Sequence, residues 1–341
     1  MSVPRVTLQE IAEAAQTSVA TVSKVLNGRP GVSDAQRSRI LRLLSEHGYE
    51  RRGVHKRNPA RLIDVVVRGI DTHWATEVLM GAEGEAARVG AGIVVTVTHG
   101  RTLGNRRWLS ALAQRHSDGL LLVASRLSQG IDVELAKLRI PYVLVDPIGA
   151  PSPAQNVPVI GASNFAGGLT ATEHLLNLGH RRIGVISGDR DLRCSQERLD
   201  GYRAALGRAG LVPDDSLIRF GDFLTDGGYA AGADLLGLPH PPTAIFAGSD
   251  LQAYGVYRAA KELGLGIPED LSVVGFDDVP LCQYVSPPLT TVRQPIEEMA
   301  REATRILLGL AYRGAQPQRP KLELATSLIV RSSTAPPQPG R

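Results

Sequence analysis

The sequence predicts a small all-α head followed by a larger α/β core of two doubly wound parallel-sheet lobes. Three observations carry that prediction. Over residues 1–49, apolar residues recur at helical spacing in three short blocks. From residue 62 onward, apolar strand-like runs alternate with helical patterns, which implies parallel sheets with helices on both faces, and the runs are too many for one such sheet. Charge divides at the same place. Residues 1–61 hold eleven Lys/Arg against five Asp/Glu, a net of +6, whereas the other 280 residues hold 27 against 29, a net of −2.

Thr7 is a good N-cap and Glu10 completes a capping box, with Leu8, Ile11, Ala12 and Ala15 repeating behind it. Thr17-Ser18 interrupts that pattern and caps a second helix, whose stripe is Val19, Val22, Val25 and Leu26 and which stops at Asn27-Gly28. Ser33 caps a third helix, with Ile40, Leu41, Leu44 and Tyr49 on one face. Residues 50–61, ERRGVHKRNPAR, are basic, contain Gly53 and Pro59, and are expected to form a linker.

In the core the strand-like runs are 62–67, 93–98, 119–123, 142–145, 182–186, 243–247 and 271–276. Helices are expected at 75–90, 164–178, 196–209, 250–263 and 295–310. The Pro-rich segment 334–341 is expected to be a disordered tail. The 43% apolar content excludes wholesale disorder, and no apolar run approaches the roughly 18 residues that span a bilayer. The N-terminus shows no secretory h-region, and Cys194 and Cys282 are isolated, so a reduced, cytoplasmic setting and no metal or other cofactor are expected.

A basic head of three helices with a short second helix suits entry into a major groove about 12 Å wide, where exposed residues must be small or polar. The helix SVATVSKVLNG leaves Val19, Ala20, Thr21, Ser23, Lys24 and Asn27 outside. Ser18, Thr21 and Ser23 offer hydroxyls to phosphate oxygens, and Lys24 reaches a base or a phosphate. A helical bundle without a DNA role has the same pattern, so spacing alone leaves the matter even.

The stretch TLQEIAEAAQTSVATVSKVLN, residues 7–27, resembles the head of the lactose/galactose-repressor (LacI/GalR) family. The fragments LGHRRIGVISG, ERLDGYRAAL, PTAIFAGSD, LSVVGFDD and PPLTTVRQP resemble that family's periplasmic-binding-protein-like core, and the likeness covers about residues 5–334. It implies a ligand-responsive DNA-binding transcription regulator, most naturally a repressor and a homodimer on a pseudo-palindromic operator. It implies DNA contacts at Thr7, Ser18, Val19, Ala20, Thr21, Ser23, Lys24 and Asn27, with Arg51, Arg52, Lys56 and Arg57 added by the charge of the linker. The family usually carries an apolar Leu wedge in the hinge. Here Asn58, followed by Pro59, stands in its place, so a basic arm that leaves the operator little kinked is expected instead, with a solvated tether as the equal alternative. The implied lobes are 62–161 with 292–321, and 163–290 with 322–333.

Ligands of doubly wound lobes bind at the carboxyl ends of strands. Trp74, Asp146, Phe223, Asp250, Asp277 and Gln294 follow such runs, and Arg198 opens the helix after 182–186. By resemblance the effector residues are Trp74, Asp146, Cys194, Arg198, Phe223, Asp277 and Gln294. Singly each has an ordinary structural reading, as a cap, a solvated cation or core; together they compose a polar-ligand cleft. Carboxylates, an arginine and aromatic faces suit a small sugar best, with an aromatic acid stacked on Trp74 as the rival. A free sugar-binding transport protein would lack the basic head. Enzymatic motifs are absent: GLGIP (264–268) lacks a dinucleotide fingerprint, and Cys194-Ser195 with His180 is a weak thiol-nucleophile candidate.

Overall fold

The computed structural model describes residues 7–26, 31–47, 61–99, 101–102, 106–123, 130–147, 157–313 and 321–338. Head and core are separate units, divided between Pro59 and Ala60. In the head, Thr7 Oγ1 accepts from the Glu10 amide at 3.3 Å and Glu10 Oε2 accepts from the Thr7 amide at 2.6 Å; this capping box starts α1 (Leu8–Ala14). Ser18 Oγ accepts from the Thr21 amide at 3.2 Å in the first turn of α2 (Val19–Leu26), and Ser33 Oγ accepts from the Gln36 amide at 3.4 Å in the first turn of α3 (Asp34–Glu46). Ile11, Ala12, Ala15, Val22, Val25, Ile40 and Leu44 close into one small core. Leu41, expected on the inward face, is 50% exposed: about 100° per residue carries it off the stripe that Ile40 and Leu44 share.

The core begins with β1 (Leu62–Val67), α4 (His73–Ala87), β2 (Gly92–Val97), α5 (Arg106–Arg115), β3 (Gly119–Val123), α6 (Ile131–Lys137), β4 (Tyr142–Val145) and β5 (Val159–Ala162). The chain then crosses into a second lobe, with α7 (Asn164–Asn177), β6 (Ile183–Ser187), α8 (Arg193–Arg208), β7 (Ile218–Phe220), α9 (Thr225–Leu236), β8 (Ala244–Ala247), α10 (Asp250–Glu262), β9 (Ser272–Asp277) and β10 (Thr290–Arg293). It returns with α11 (Ile296–Arg313) and β11 (Lys321–Leu324) and crosses again to β12 (Ser327–Ile329). The N-lobe sheet runs β11-β5-β4-β3-β1-β2 and is wholly parallel. The C-lobe sheet runs β12-β10-β9-β8-β6-β7, with β12 antiparallel. Each order reverses next to its first strand, which opens a crevice at the strands' carboxyl ends.

Strand alternation explains the two-sided burial. Ile63, Val65 and Val67 pack with Val78 of α4 and Met299 of α11. Val66 points the other way, among Trp108 and Leu112 of α5 and Leu135 of α6. Asp64 alternates with the first set and is fully buried, so its charge needs partners. Arg115 Nη2 donates to Oδ1 at 2.6 Å and Ser117 Oγ donates to Oδ2.

Three sequence-based expectations are corrected here. The lobe crossovers fall after Ala162, between Arg293 and Ile296, and between Leu324 and Ser327, so β10 belongs to the C-lobe and β11 to the N-lobe, a few residues from the implied boundaries. Helix α8 starts at Arg193, which puts Arg198 in its second turn rather than at its opening. Residues 334–338 are not a free tail. Ala335 O accepts from His180 Nε2 at 2.9 Å and from Ser272 Oγ at 3.0 Å, Ala335 N donates to Ser272 Oγ at 3.0 Å, and Thr334 Oγ1 lies 2.9 Å from His174 Nε2. Composition alone suggests disorder there, but polar side chains of the C-lobe satisfy the backbone and hold it down.

Candidate functional site

The core site is built around Arg198. Its residue is only 5% exposed, so every donor of the guanidinium needs a partner. Nε donates to Asn164 Oδ1 at 2.9 Å, and Nη1 donates to the carbonyl of Gly248. The plane lies over the Phe276 ring, 3.7 Å from its centroid, with the Phe223 centroid at 5.3 Å. Phe223 is seated because Gly188 lacks a side chain: a Cβ there would fall 2.2 Å from the ring.

Carboxylates surround this cation. Burial pushes Asp277 up to about 8 and Asp146 up to about 6, with the attraction of Arg198 opposing both shifts. Gln294 Nε2 donates to Asp277 Oδ1 at 2.5 Å; its own Oε1 is buried without a hydrogen-bond partner among the described residues. Asp146, Phe223 and Asp277 all have positive φ, at 44°, 66° and 118°. Such conformations persist where the surroundings over-determine them, and they concentrate at ligand sites. The turn at Asp277 is held by Asp278, which accepts from Arg331 Nη2 at 2.6 Å and from Arg293 Nε at 2.7 Å.

Two cavities flank these groups. One is lined by Asp146, Asn164, Arg193, Cys194 and Glu197, where Arg193 Nε donates to Glu197 Oε1 at 2.6 Å. The other, of about 300 Å³, is lined by Glu77, Asp277, Gln294, Glu297 and Arg301. Asp146, after β4 of the N-lobe, thus lies near Cys194, Arg198 and Asp277 of the C-lobe, with Phe223 against Arg198 and Gln294 on Asp277. Trp74, half-buried in the first turn of α4 and packed on the N-lobe core, lines neither cavity.

Asp250 does not serve the cleft. It is fully buried; Oδ1 accepts from Thr291 Oγ1 at 2.5 Å and Oδ2 accepts from Val279 N at 2.9 Å, so it ties α10 to the β9–β10 region. The thiol-nucleophile candidate separates as well. Burial pushes Cys194 up to about 11, and His180 faces Thr243 Oγ1 and Ala335 O, each at 2.9 Å. Among the described residues, no group of three His, Cys, Asp or Glu could hold a metal ion, and no helix is long and apolar enough to cross a membrane. Sequence reasoning missed Asn164 and Glu197. Asn164 follows the apolar run VIGA and was detectable by the strand-end rule that found Asp146, but four residues are a short signal.

In the head, α2 buries Val22 and Val25 and leaves Val19, Ala20 and Lys24 exposed. Ser18 is exposed and its Oγ lies 2.9 Å from Oγ1 of half-buried Thr21; Ser23 is half-buried. Thr7 is exposed, with its hydroxyl in the capping box. Asn27, Arg51, Arg52, Lys56, Arg57 and the hinge position Asn58 lie outside the described residues.

The family "Bacterial regulatory proteins, lacI family" matches residues 7–52, and the "Periplasmic binding protein-like domain" matches 172–334. The HTH-type transcriptional repressor CytR of Escherichia coli is 34% identical over 331 residues, 96% of each chain. The solved complex of the transcriptional regulator CelR with cellobiose is 33% identical, with a TM-score of 0.73 over 96% of this chain and 100% of that one. The lac repressor dimer bound to operator and the anti-inducer ONPF is 26% identical, with a TM-score of 0.71 over 97% of this chain and 100% of that one.

Proposed function

The chain belongs to the lacI family of bacterial regulatory proteins and is a DNA-binding transcriptional regulator; from that premise we propose that it is a cytoplasmic homodimeric repressor of carbohydrate-utilisation genes, controlled by a small neutral sugar in the core cleft. Helix α2 reads a pseudo-palindromic operator through Val19, Ala20 and Lys24, with Thr7, Ser18, Thr21, Ser23 and Asn27 on the backbone. The linker residues Arg51, Arg52, Lys56 and Arg57 act as a basic arm. A two-fold assembly presents two such helices to two half-sites. The relative complexed with cellobiose supports the sugar class, and the lac repressor dimer supports the assembly.

One observation favours a neutral, hydroxyl-rich effector over an aromatic acid. Two of the three nitrogens of Arg198, Nε and Nη1, already hold partners within the protein. The fork that grips a carboxylate is therefore largely engaged. Asp146 and Glu197 close to it disfavour a second anion, while their oxygens and those of Asp277 accept from hydroxyls. Trp74, the stacking platform an aromatic acid needs, packs on the N-lobe core. Thermal-shift screening of the full-length protein against sugars and aromatic acids tests the reading. Stabilisation by sugars alone is expected, and stabilisation by acids alone overturns the sugar class.

A further inference from the structure

We propose that Asn164 is a positioning residue that couples the effector-binding arginine to the crossover between the lobes, so that occupancy of the cleft is transmitted to the hinge. The proposal rests on the reading of the cleft as the effector site. Ala162 is the last residue of the N-lobe strand β5 and Asn164 the first of the C-lobe helix α7, so Ser163 alone separates them. Both ends of the Asn164 amide are used. Nδ2 donates to Ala162 O at 3.2 Å, and Oδ1 accepts from Arg198 Nε at 2.9 Å. The residue is 3% exposed, so water does not readily replace either bond.

The contacts continue in both directions. On the N-lobe side the Ala162 amide faces the Asp146 carboxylate and opposes the effect of its burial. On the C-lobe side Arg198 Nη1 donates to Gly248 O, at the end of β8, and Gly248 N donates to Ile186 O of β6 at 2.7 Å. Ala162 therefore meets an N-lobe carboxylate at its N–H and a C-lobe side chain at its C=O. A second crossover is fastened to the same place: Ser163 donates to Leu324 O through its amide at 2.9 Å and its hydroxyl at 3.1 Å. A shift of Arg198 on binding a sugar pulls on Asn164, and Asn164 sits where two of the three connections between the lobes meet. An amide suits this post because it donates and accepts at once. A carboxylate in the same place keeps the bond to Arg198 and loses the one to Ala162 O.

The difference between those two side chains is the test. Full-length protein is titrated with D-ribose, cellobiose, D-glucose and D-galactose by calorimetry. Affinity for an operator selected in vitro is measured with and without the sugar that binds. In Asn164→Asp, measured at saturating sugar, the sugar-induced change in operator affinity is expected to fall at least tenfold. Asn164→Ala, which loses both bonds, is expected to bind the sugar at least tenfold more weakly. Full coupling in Asn164→Asp overturns the proposal. If that variant does not fold, Asn164→Ser decides: sugar affinity at least tenfold weaker supports the role, and unchanged affinity overturns it. A wild-type protein whose operator binding ignores every sugar overturns the cleft reading itself, and this inference with it.

Discussion

Gln294 Nε2 donates to Asp277 Oδ1 across 2.5 Å and so joins the last residue of β9 to the crossover that leads into α11. The bond favours a charged Asp277, as does Arg198, yet burial outweighs both and leaves the carboxyl high, at about 8. Burial thus makes Asp277 harder to ionise than an ordinary carboxyl even with Arg198 beside it.

The sign of the resulting pH dependence is opposite to that of an ordinary paired Asp. A carboxyl whose folded value lies above its ordinary one favours the native state at low pH, and that contribution is lost as pH rises toward the folded value. Asp146 and Asp250, each at about 6, are only half-way through this loss at pH 6, so Asp277 is isolated by comparison with Asp277→Asn, which keeps both of them. Asp277→Asn is expected to gain about 1–3 kcal/mol over wild type between pH 6 and 8. Urea unfolding at both pH values checks it, and parallel behaviour of the two proteins contradicts it.

Arg198→Ala removes the partner of Asn164 Oδ1 and of the Gly248 carbonyl. Sugar-dependent release or tightening on operator DNA is expected to vanish while affinity without sugar stays within about twofold. Two buried acceptors are left without a donor, so stability should also fall by roughly 1–3 kcal/mol. Operator titrations with and without sugar, together with a melting curve, read both effects.

Lys24 is exposed on α2 between buried Val22 and Val25. Lys24→Ala is expected to weaken specific operator binding by roughly 1–3 kcal/mol without loss of folding. An electrophoretic shift with unchanged affinity would remove Lys24 from base readout.

The basic linker makes a separate prediction about salt. Replacing Arg51, Arg52, Lys56 and Arg57 with Ala should lower the salt slope of operator binding by up to about 3–4 units if each touches a phosphate. An unchanged slope leaves the segment as a tether.

Removing residues 334–341 deletes the acceptor of His180 Nε2 and Ser272 Oγ and the partner of His174. The truncated protein is expected to be less stable by about 1–3 kcal/mol. A melting temperature equal to that of the full chain would mean these bonds add nothing net.

What the sequence by itself determined is what neighbours a few residues apart decide. Thr7 and Glu10 announce their capping box, the Val22/Val25 stripe announces its buried face, and runs such as LIDVVV announce parallel strands, because period and capping are local. Arg198 and Asp277 were recognisable as cleft residues from their motifs and strand-end positions, and Asp146 from its position after YVLV. Tertiary structure decided the rest. Short strands such as VIGA and SLI have too few residues to show a period and exist because neighbouring strands accept them: VIGA lies between β11 and β4, and SLI adds to β10 at a sheet edge. Asp250 and Asp277 look alike in sequence, each an Asp after an apolar run. Thr291 and Val279 consume the first from 41 and 29 residues away, while the second stays beside Arg198. The 334–338 strap depends on side chains 63 to 160 residues distant. Such partners are chosen by the topology that folds both lobes, and no local pattern of residues encodes which of them will meet.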